Sequence, residues 1–171
     1  MHLLQRMDVY PGLLRWLTAV TAPIVLAAYA TTPPAYADNN RLNKSVAQMV
    51  SIVQYKAGCR SKLTVDPRLQ LAAQWHTVDV LNNRALDRDV GSDGSSPQSR
   101  AIAAGYRGTV QETVAINPAL AINGMELINK WYWDPEYLAV MQNCANTQIG
   151  IWSENALDRT VVVAVYGSPA S

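Results

Sequence analysis

The segment QIGIWSENALDRTVVVAVY, residues 148–166, carries the strongest fold signal in this chain. Two runs rich in β-branched residues, Gln148–Glu154 and Arg159–Tyr166, flank the turn-forming residues Asn155-Ala156-Leu157-Asp158. This arrangement is typical of a β-hairpin, and the run VVVAVY at 161–166 is predicted to be its most buried strand.

The sequence upstream of this hairpin shows two helical patterns. Apolar residues recur at helical spacing from Leu42 to Val53, and Gly58 is predicted to end that helix. Asp66-Pro67 begins a second helix, with aspartate as the N-cap and proline at the first helical position. One apolar stripe of this second helix consists of Leu69, Ala72, Ala73, His76 and Val80, and the opposite stripe of Leu71, Trp75 and Val78. A helix that is apolar on two faces is predicted to lie between other layers.

The middle of the chain adds shorter elements. Ser96-Pro97 caps a short helix that ends at Gly105, and Thr109–Ile116 alternates as a strand. Another helix is predicted to begin at Asn117-Pro118 and to be interrupted at Asp134-Pro135; its apolar stripe consists of Ile122, Met125, Ile128 and Tyr132. Because the hairpin comes last and no βαβ alternation is present, we expect an α+β fold with helices layered around an antiparallel sheet.

The first 37 residues have the features of an export signal. Arginines precede the uncharged run Trp16–Ala30, and Ala35-Tyr36-Ala37 supplies a small-x-small cleavage site. An uncleaved anchor is the alternative, but an apolar run of about 15 residues is short for a membrane span. We therefore expect a leader at 1–37 and an exported domain at 38–171 with no membrane span after cleavage.

Charge and histidine content exclude two functions. The chain has 171 residues and a formal net charge of +1, whereas a non-specific nucleic-acid binder needs a basic surface. Because His2 lies in the predicted leader, only His76 remains, too few for a zinc site built on two or three imidazoles. His76 is predicted to be a buried structural residue whose nitrogens are bonded by backbone or by Asp79.

The two cysteines are predicted to form a structural disulfide. Outside the cytosol Cys59 and Cys144 are expected to pair, although two free buried thiols are the alternative. For a loop of roughly 85 residues the chain-entropy model gives roughly 4–5 kcal/mol of stabilisation. A catalytic role for Cys59 is less favoured because no histidine is near it in the sequence.

Two acidic features are candidates for a site. The segment DRDVGSDG at 87–94 invites a calcium interpretation, but an EF-hand alignment places Arg100 where a bidentate glutamate belongs, so a structured loop is expected. Glu112 shares a strand face with Val110 and Val114, so its carboxylate must be paired, solvated in a cleft or protonated. Glu112 is therefore the best single candidate for a site residue, with a structural ion pair to a nearby arginine as the alternative.

Several segments occur in the order AAQWHTVDV, LDRDVGSDGSSPQSR, AAGY, QETVAI, KWYWDPEY, TQIGIW and VVVAVYG. In this order, across roughly Leu42 to Gly167, the chain resembles the CAP superfamily of cysteine-rich secretory, antigen 5 and pathogenesis-related 1 proteins. Its single-domain exported actinobacterial members are the most similar. The resemblance implies an α-β-α sandwich with a small antiparallel sheet that ends in the C-terminal hairpin.

Members of that superfamily have a cleft with a His, Glu, Glu, His tetrad, which binds a divalent metal in some of them. The resemblance places Arg88, Glu112, Asp134 and Tyr137 at the four positions. A guanidinium in place of an imidazole, beside two carboxylates and a phenol, suits a metal poorly, so neither a metal nor a cofactor is expected. An Arg88–Glu112 ion pair is expected to lower the pKa of Glu112 and weaken it as a base.

The resemblance and the altered tetrad together favour a secreted or envelope-associated, non-enzymatic CAP-domain protein. Its cleft or surface would bind an apolar ligand or an envelope protein, unless the four tetrad-equivalent residues only brace the sandwich. The alternative is an exported, metal-independent hydrolase in which Glu112 acts as the acid or base, helped by Asp134 and Tyr137.

Overall fold

The computed structural model describes residues 36–118 and 120–170, with side chains described from Asn39 onward. The predicted leader at 1–37 therefore lies almost wholly outside the described residues. Within the described ranges no helix is long and apolar enough to cross a bilayer. The elements in chain order are α1 (Tyr36–Lys56), β1 (Thr64–Val65), α2 (Pro67–Asn82), α3 (Pro97–Ala103), β2 (Thr109–Asn117), α4 (Gly124–Tyr132), α5 (Pro135–Gln142), β3 (Gln148–Ala156) and β4 (Arg159–Ser168).

The sheet has the strand order β1-β3-β4-β2. Strands β3 and β4 pair antiparallel from Gln148↔Gly167 to Ala156↔Arg159, which confirms the predicted hairpin. Strand β2 pairs antiparallel with the other side of β4. The two-residue strand β1 pairs parallel with β3, so the sheet is mixed and not purely antiparallel. A strand of two residues is too short to show apolar–polar alternation, so β1 could not be predicted from the sequence.

Alternation along β4 produces the two cores of the sandwich. Val161, Val163 and Val165 pack with residues of α2 and α3. On the opposite face, Val162, Ala164 and Tyr166 pack with residues of α1, α4 and α5. All six side chains are fully buried, because successive side chains of a strand point to opposite faces and helices cover both. The structure thus confirms the predicted α+β sandwich and its most buried strand.

The second apolar stripe of α2 is not buried, which corrects the prediction that this helix lies between layers. Leu71, Trp75 and Val78 are 37%, 42% and 40% exposed. The opposite stripe does pack on the sheet, so closely that a Cβ at Gly150 would collide with the backbone of Leu69 and Gln70. One helix layer lies on this face of the sheet, and the outer stripe of α2 therefore faces solvent.

The helix predicted to begin at Asn117-Pro118 begins later, at Gly124. Asn117 ends β2, and its side-chain amide donates to the Ala121 carbonyl at 3.0 Å. The helix N-cap is Asn123, whose side chain accepts from the Glu126 N–H. Of the predicted stripe, Ile122 and Ile128 are buried, whereas Met125 and Tyr132 are 67% and 44% exposed. The break at Asp134-Pro135 is confirmed, with Asp134 as the N-cap of α5.

The end of α1 is fixed by glycine and by a disulfide. Gly58 has φ of 99°, and the N–H groups of Gly58 and Cys59 donate to the Tyr55 and Gln54 carbonyls. This is the Schellman geometry expected of a C-terminal glycine. Cys59 and Cys144 form a disulfide with a Cα–Cα distance of 5.1 Å, which confirms the predicted pairing. The bond joins the end of α1 to the segment that follows α5.

Candidate functional site

Three of the four tetrad-equivalent residues lie together in a cleft of about 640 Å³. Arg88, Glu112 and Tyr137 line it, at the junction of the loop after α2, strand β2 and helix α5. The fourth, Asp134, has its carboxylate 4.0 Å from the Arg88 guanidinium. The fold therefore brings the four positions into one neighbourhood, although the first and the last are 49 positions apart in the sequence.

Arg88 does not pair with Glu112, and this part of the prediction is wrong. Its guanidinium instead contacts Glu136 at 2.9 Å and lies 5.8 Å from the centroid of the Tyr137 ring. The Arg88 side chain is 56% exposed. It points outward because the N-terminal turn of α5 presents the carboxylates of Asp134 and Glu136 at the surface, where a guanidinium remains partly hydrated.

Arg100 is the partner of Glu112, and sequence reasoning considered it only in the calcium alignment. Arg100 Nη2 donates to Glu112 Oε1 at 2.9 Å and to the Asp89 carbonyl at 2.7 Å. Nη1 donates to the carbonyl and the hydroxyl of Ser95. The alternative that Glu112 pairs with a nearby arginine is therefore confirmed, through a hydrogen bond that Arg100 donates whether the carboxyl is ionised or protonated. The available signal was an arginine one turn after the Ser96 cap, the only charged residue of its helix.

The pKa of Glu112 shifts in the direction opposite to the prediction. Its side chain is 1% exposed, and this burial raises its pKa to about 8, although the Arg100 guanidinium opposes the shift. Burial dominates because an ionised carboxylate loses its hydration in the protein interior. Glu112 Oε2 has no hydrogen-bond partner among the described residues. The group is thus suited to hold a proton near neutral pH.

His76 is buried as predicted, but only one of its ring nitrogens is bonded by backbone, and Nδ1 has no hydrogen-bond partner among the described residues. Its Nε2 lies 2.9 Å from the Arg88 carbonyl, and because a carbonyl only accepts, Nε2 carries the proton. The same nitrogen lies 3.5 Å from Glu112 Oε1. Burial and the nearby Arg100 guanidinium lower the pKa of His76, so the ring is neutral. Asp79, the other partner considered, instead accepts from the N–H and hydroxyl of Ser92.

The Asp-rich segment forms the structured loop that was expected. The Gly91 N–H donates to the Ser95 carbonyl, and the Gly94 N–H donates to the Gly91 carbonyl. Gly94 has φ of 77°, a conformation that favours glycine. The Ser95 N–H donates to Asp93 Oδ1 at 2.8 Å. Hydrogen bonds within the loop and to α2 therefore hold its conformation.

The cleft residues do not suit a divalent cation. Glu112 Oε1 already accepts from Arg100, and the Arg88 guanidinium lies among the remaining carboxylates. Across the described residues, no three His, Cys, Asp or Glu side chains are grouped to hold a metal ion. A divalent ion would also meet the repulsion of two guanidinium groups, so we derive no metal-dependent chemistry from this donor set.

Stability is expected to fall as the pH rises from about 6.5 to about 8. The folded-state pKa of Glu112 lies above its ordinary value of 4.5, so across this window the folded protein binds the proton that the unfolded chain has released. The pKa of His76 is lowered from 6.5, so that ring contributes a pH dependence of the opposite sign, which fades as the pH rises above 6.5. The slope should approach about 1.4 kcal/mol per pH unit in urea unfolding curves. Glu112→Gln should abolish this slope of stability against pH. The same slope in the variant and in the unsubstituted protein would contradict its assignment to the titration of Glu112.

Comparison with known proteins supports the fold assignment. No protein-family profile matches the sequence, and no curated protein matches it. Among solved structures, an outer surface protein of Borrelia burgdorferi matches with a TM-score of 0.63 and 17% identity over 74% of this chain and 92% of that one. An extracellular SCP-domain protein of Bacillus anthracis matches with a TM-score of 0.63 and 13% identity over 75% of this chain. A cysteine-rich secretory protein of Staphylococcus aureus matches with a TM-score of 0.57 and 12% identity over 78%.

These matches show the class of fold. The chain has the α-β-α fold of the CAP, or SCP, domain, as the order of its sequence motifs predicted. The match covers 41% of the Bacillus anthracis chain and 40% of the Staphylococcus aureus chain, so both proteins extend well beyond the shared domain.

Proposed function

We propose that this protein is an exported CAP-domain binding protein that holds an amphiphile, with an apolar chain and an anionic headgroup, in a groove between α1 and α4. The single observation that carries the proposal is the groove itself, which has a volume of about 410 Å³. Its apolar wall consists of Met49, Ile52, Val53, Met125, Ile128 and Tyr132. A concave, mainly apolar site of this size fits a small ligand better than a flat protein surface.

The exposure of the groove supports a ligand. Ile52, Met125 and Tyr132 are 54%, 67% and 44% exposed, on two adjacent helices that both contribute to one core. Contiguous apolar surface of this kind is favourable to cover, and each buried methylene contributes about 0.8 kcal/mol. The two methionines add flexible, polarisable side chains that adapt to a chain without fixed shape.

Charge at the groove determines the headgroup. Among the described residues that line it, Lys56 is the only charged one. It lies in the last turn of α1, one turn beyond Ile52 and Val53. An anionic headgroup beside this ammonium would leave the alkyl chain on the apolar wall. A long-chain fatty acid has this combination of groups.

Three observations support export. The N-terminal 37 residues have the pattern of a cleavable leader. The Cys59–Cys144 disulfide is typical of an oxidising compartment. The similar solved proteins are described as an outer surface protein, an extracellular protein and a cysteine-rich secretory protein. We place the protein outside the cytoplasm, in the envelope or the medium.

Palmitate binding tests the groove directly. Met125→Asp should weaken palmitate binding by at least about tenfold, because it places a carboxylate on the apolar wall of the groove. Lys56→Gln should weaken binding of palmitate but not of hexadecanol, which lacks the charge. Ile102→Asp is the matched control, since Ile102 is 61% exposed on α3, away from the groove. Equal palmitate affinity in all variants, measured by displacement of a fluorescent fatty acid, would refute the proposal.

The hydrolase alternative stays a prediction. Its favourable observation is the pKa of Glu112, near 8, which suits a general acid. Its difficulty is access, because the Glu112 side chain is 1% exposed and is held by Arg100. A general acid must come within hydrogen-bond reach of the substrate, so this mechanism requires the cleft to open.

A further inference from the structure

A third cavity, separate from both the cleft and the groove, lies between α2, the loop at 91–95 and α3. Its volume is about 550 Å³. Its rim residues are Trp75, Asp79, Ser92, Asp93, Ser95 and Ser99. His76 and Arg100 also line it, and both are buried. The cavity thus combines one aromatic wall with carboxylates, hydroxyls and a guanidinium.

Trp75 differs from the other described tryptophans. The indole N–H groups of Trp131, Trp133 and Trp152 each donate to an acceptor, at 3.2, 3.0 and 2.9 Å. The Trp75 indole is 42% exposed, and no described residue accepts from it. A tryptophan in this state offers an apolar face and one unused donor to a ligand.

The polar side of the cavity is held in place before any ligand binds. Asp79 on α2 accepts from the N–H and the hydroxyl of Ser92, at 2.8 and 2.7 Å, which fixes the loop to the helix. A Cβ at Gly91 would clash with the side chains of Ser95 and Asp93, so the loop packs closely on itself. Hydrogen bonds from Ser95 lower the pKa of Asp93, which keeps its carboxylate ionised. Little ordering entropy would then be lost on binding.

Charge selects the class of ligand. The acidic rim at Asp79 and Asp93 disfavours an anion, and the buried Arg100 guanidinium disfavours a cation. A neutral ligand rich in hydroxyl groups is compatible with both. Its hydroxyls donate to the carboxylates, whose oxygens keep spare acceptor capacity, and accept from serine hydroxyls and the indole N–H. Its C–H face packs on the indole ring.

We propose that this cavity is a carbohydrate-binding site for a neutral sugar, with Trp75 as the stacking platform and Asp79 and Asp93 as hydroxyl acceptors. The size of the cavity suits one or two sugar rings, within the range of small-ligand sites of roughly 300–1,000 Å³. The proposal does not depend on the fatty-acid groove, since the two sites share no residue.

Calorimetric titration with cellotriose, maltotriose and the N-acetylglucosamine trimer tests the proposal. At least one neutral trisaccharide is expected to bind, and Trp75→Ala should weaken it by at least about tenfold. Asp93→Asn should also weaken it, because an amide replaces one acceptor oxygen with a donor. Trp133→Ala is the matched control, as Trp133 is 75% exposed on the junction of α4 and α5. Thermal unfolding of Trp75→Ala checks that the exposed substitution leaves the fold intact.

Three outcomes would overturn the carbohydrate site. The first is no binding of any of the three trisaccharides. The second is binding that Trp75→Ala and Trp133→Ala leave equally unchanged. The third is a preference for tetramethylammonium or glucosamine over the neutral sugars, which would show a cation site built on the carboxylates and the indole face.

Discussion

Replacing Arg100 by methionine is expected to lower the free energy of unfolding by about 3–5 kcal/mol. The substitution keeps much of the apolar volume but removes donors to Glu112, the Asp89 carbonyl and Ser95. Glu112 Oε1 and the Asp89 carbonyl are then left buried or partly buried without this donor, whereas the Ser95 carbonyl still accepts from the Gly91 N–H. Urea unfolding monitored by tryptophan fluorescence measures the loss.

Arg88→Met is the control for this experiment and tests the correction of the site. Arg88 is 56% exposed, so its solvent-screened contacts with Glu136 and Asp134 should contribute little to the free energy of unfolding. A double-mutant cycle should show coupling between Arg100 and Glu112 and none between Arg88 and Glu112. If Glu112 couples to Arg88 and not to Arg100, the Arg88–Glu112 ion pair predicted from the sequence would be correct after all.

Loss of the disulfide is the second large effect expected. The Cys59→Ser, Cys144→Ser protein should unfold with a free energy about 3–5 kcal/mol lower than the oxidised protein, because the bond closes a loop of 85 residues. Most of the fold lies within that loop, including α2, α3 and the cleft. Denaturant unfolding of the two proteins at one pH gives the difference.

Reduction supplies an independent check of the disulfide. Adding dithiothreitol should destabilise the native protein by a similar amount and leave the double-serine protein unchanged. A native protein whose unfolding midpoint does not respond to reduction would show that the bond adds little to stability.

The features predicted from sequence are those with local signals. The hairpin, the Asp66 and Ser96 caps and the Gly58 helix end each depend on a few neighbouring residues whose conformational preferences agree. The disulfide was predictable because export leaves few other roles for two cysteines. The order of the sequence motifs, through the resemblance to the CAP superfamily, then predicted the α-β-α layers.

The features that were not predicted depend on contacts between segments that are distant from one another in the sequence. Nothing near Arg88 in the sequence shows that it turns toward α5, and nothing near Arg100 shows that its guanidinium reaches strand β2. The exposure of Trp75 depends on the absence of another layer over α2 within the described residues. The pKa of Glu112 is raised because its side chain is deeply buried. Period-two alternation shows which face of the strand a side chain lies on, but not how deeply it is buried.

The outer edge of β2 has a consequence for how this protein behaves at high concentration. Side chains bond its outward backbone groups: Gln98 accepts from the Val110 N–H, and the Trp131 indole donates to the Val114 carbonyl. At the other edge of the sheet, β1 is only two residues long. The side-chain contacts on β2 and the shortness of β1 both limit the free backbone groups with which another chain could pair, which is expected to disfavour strand-to-strand aggregation.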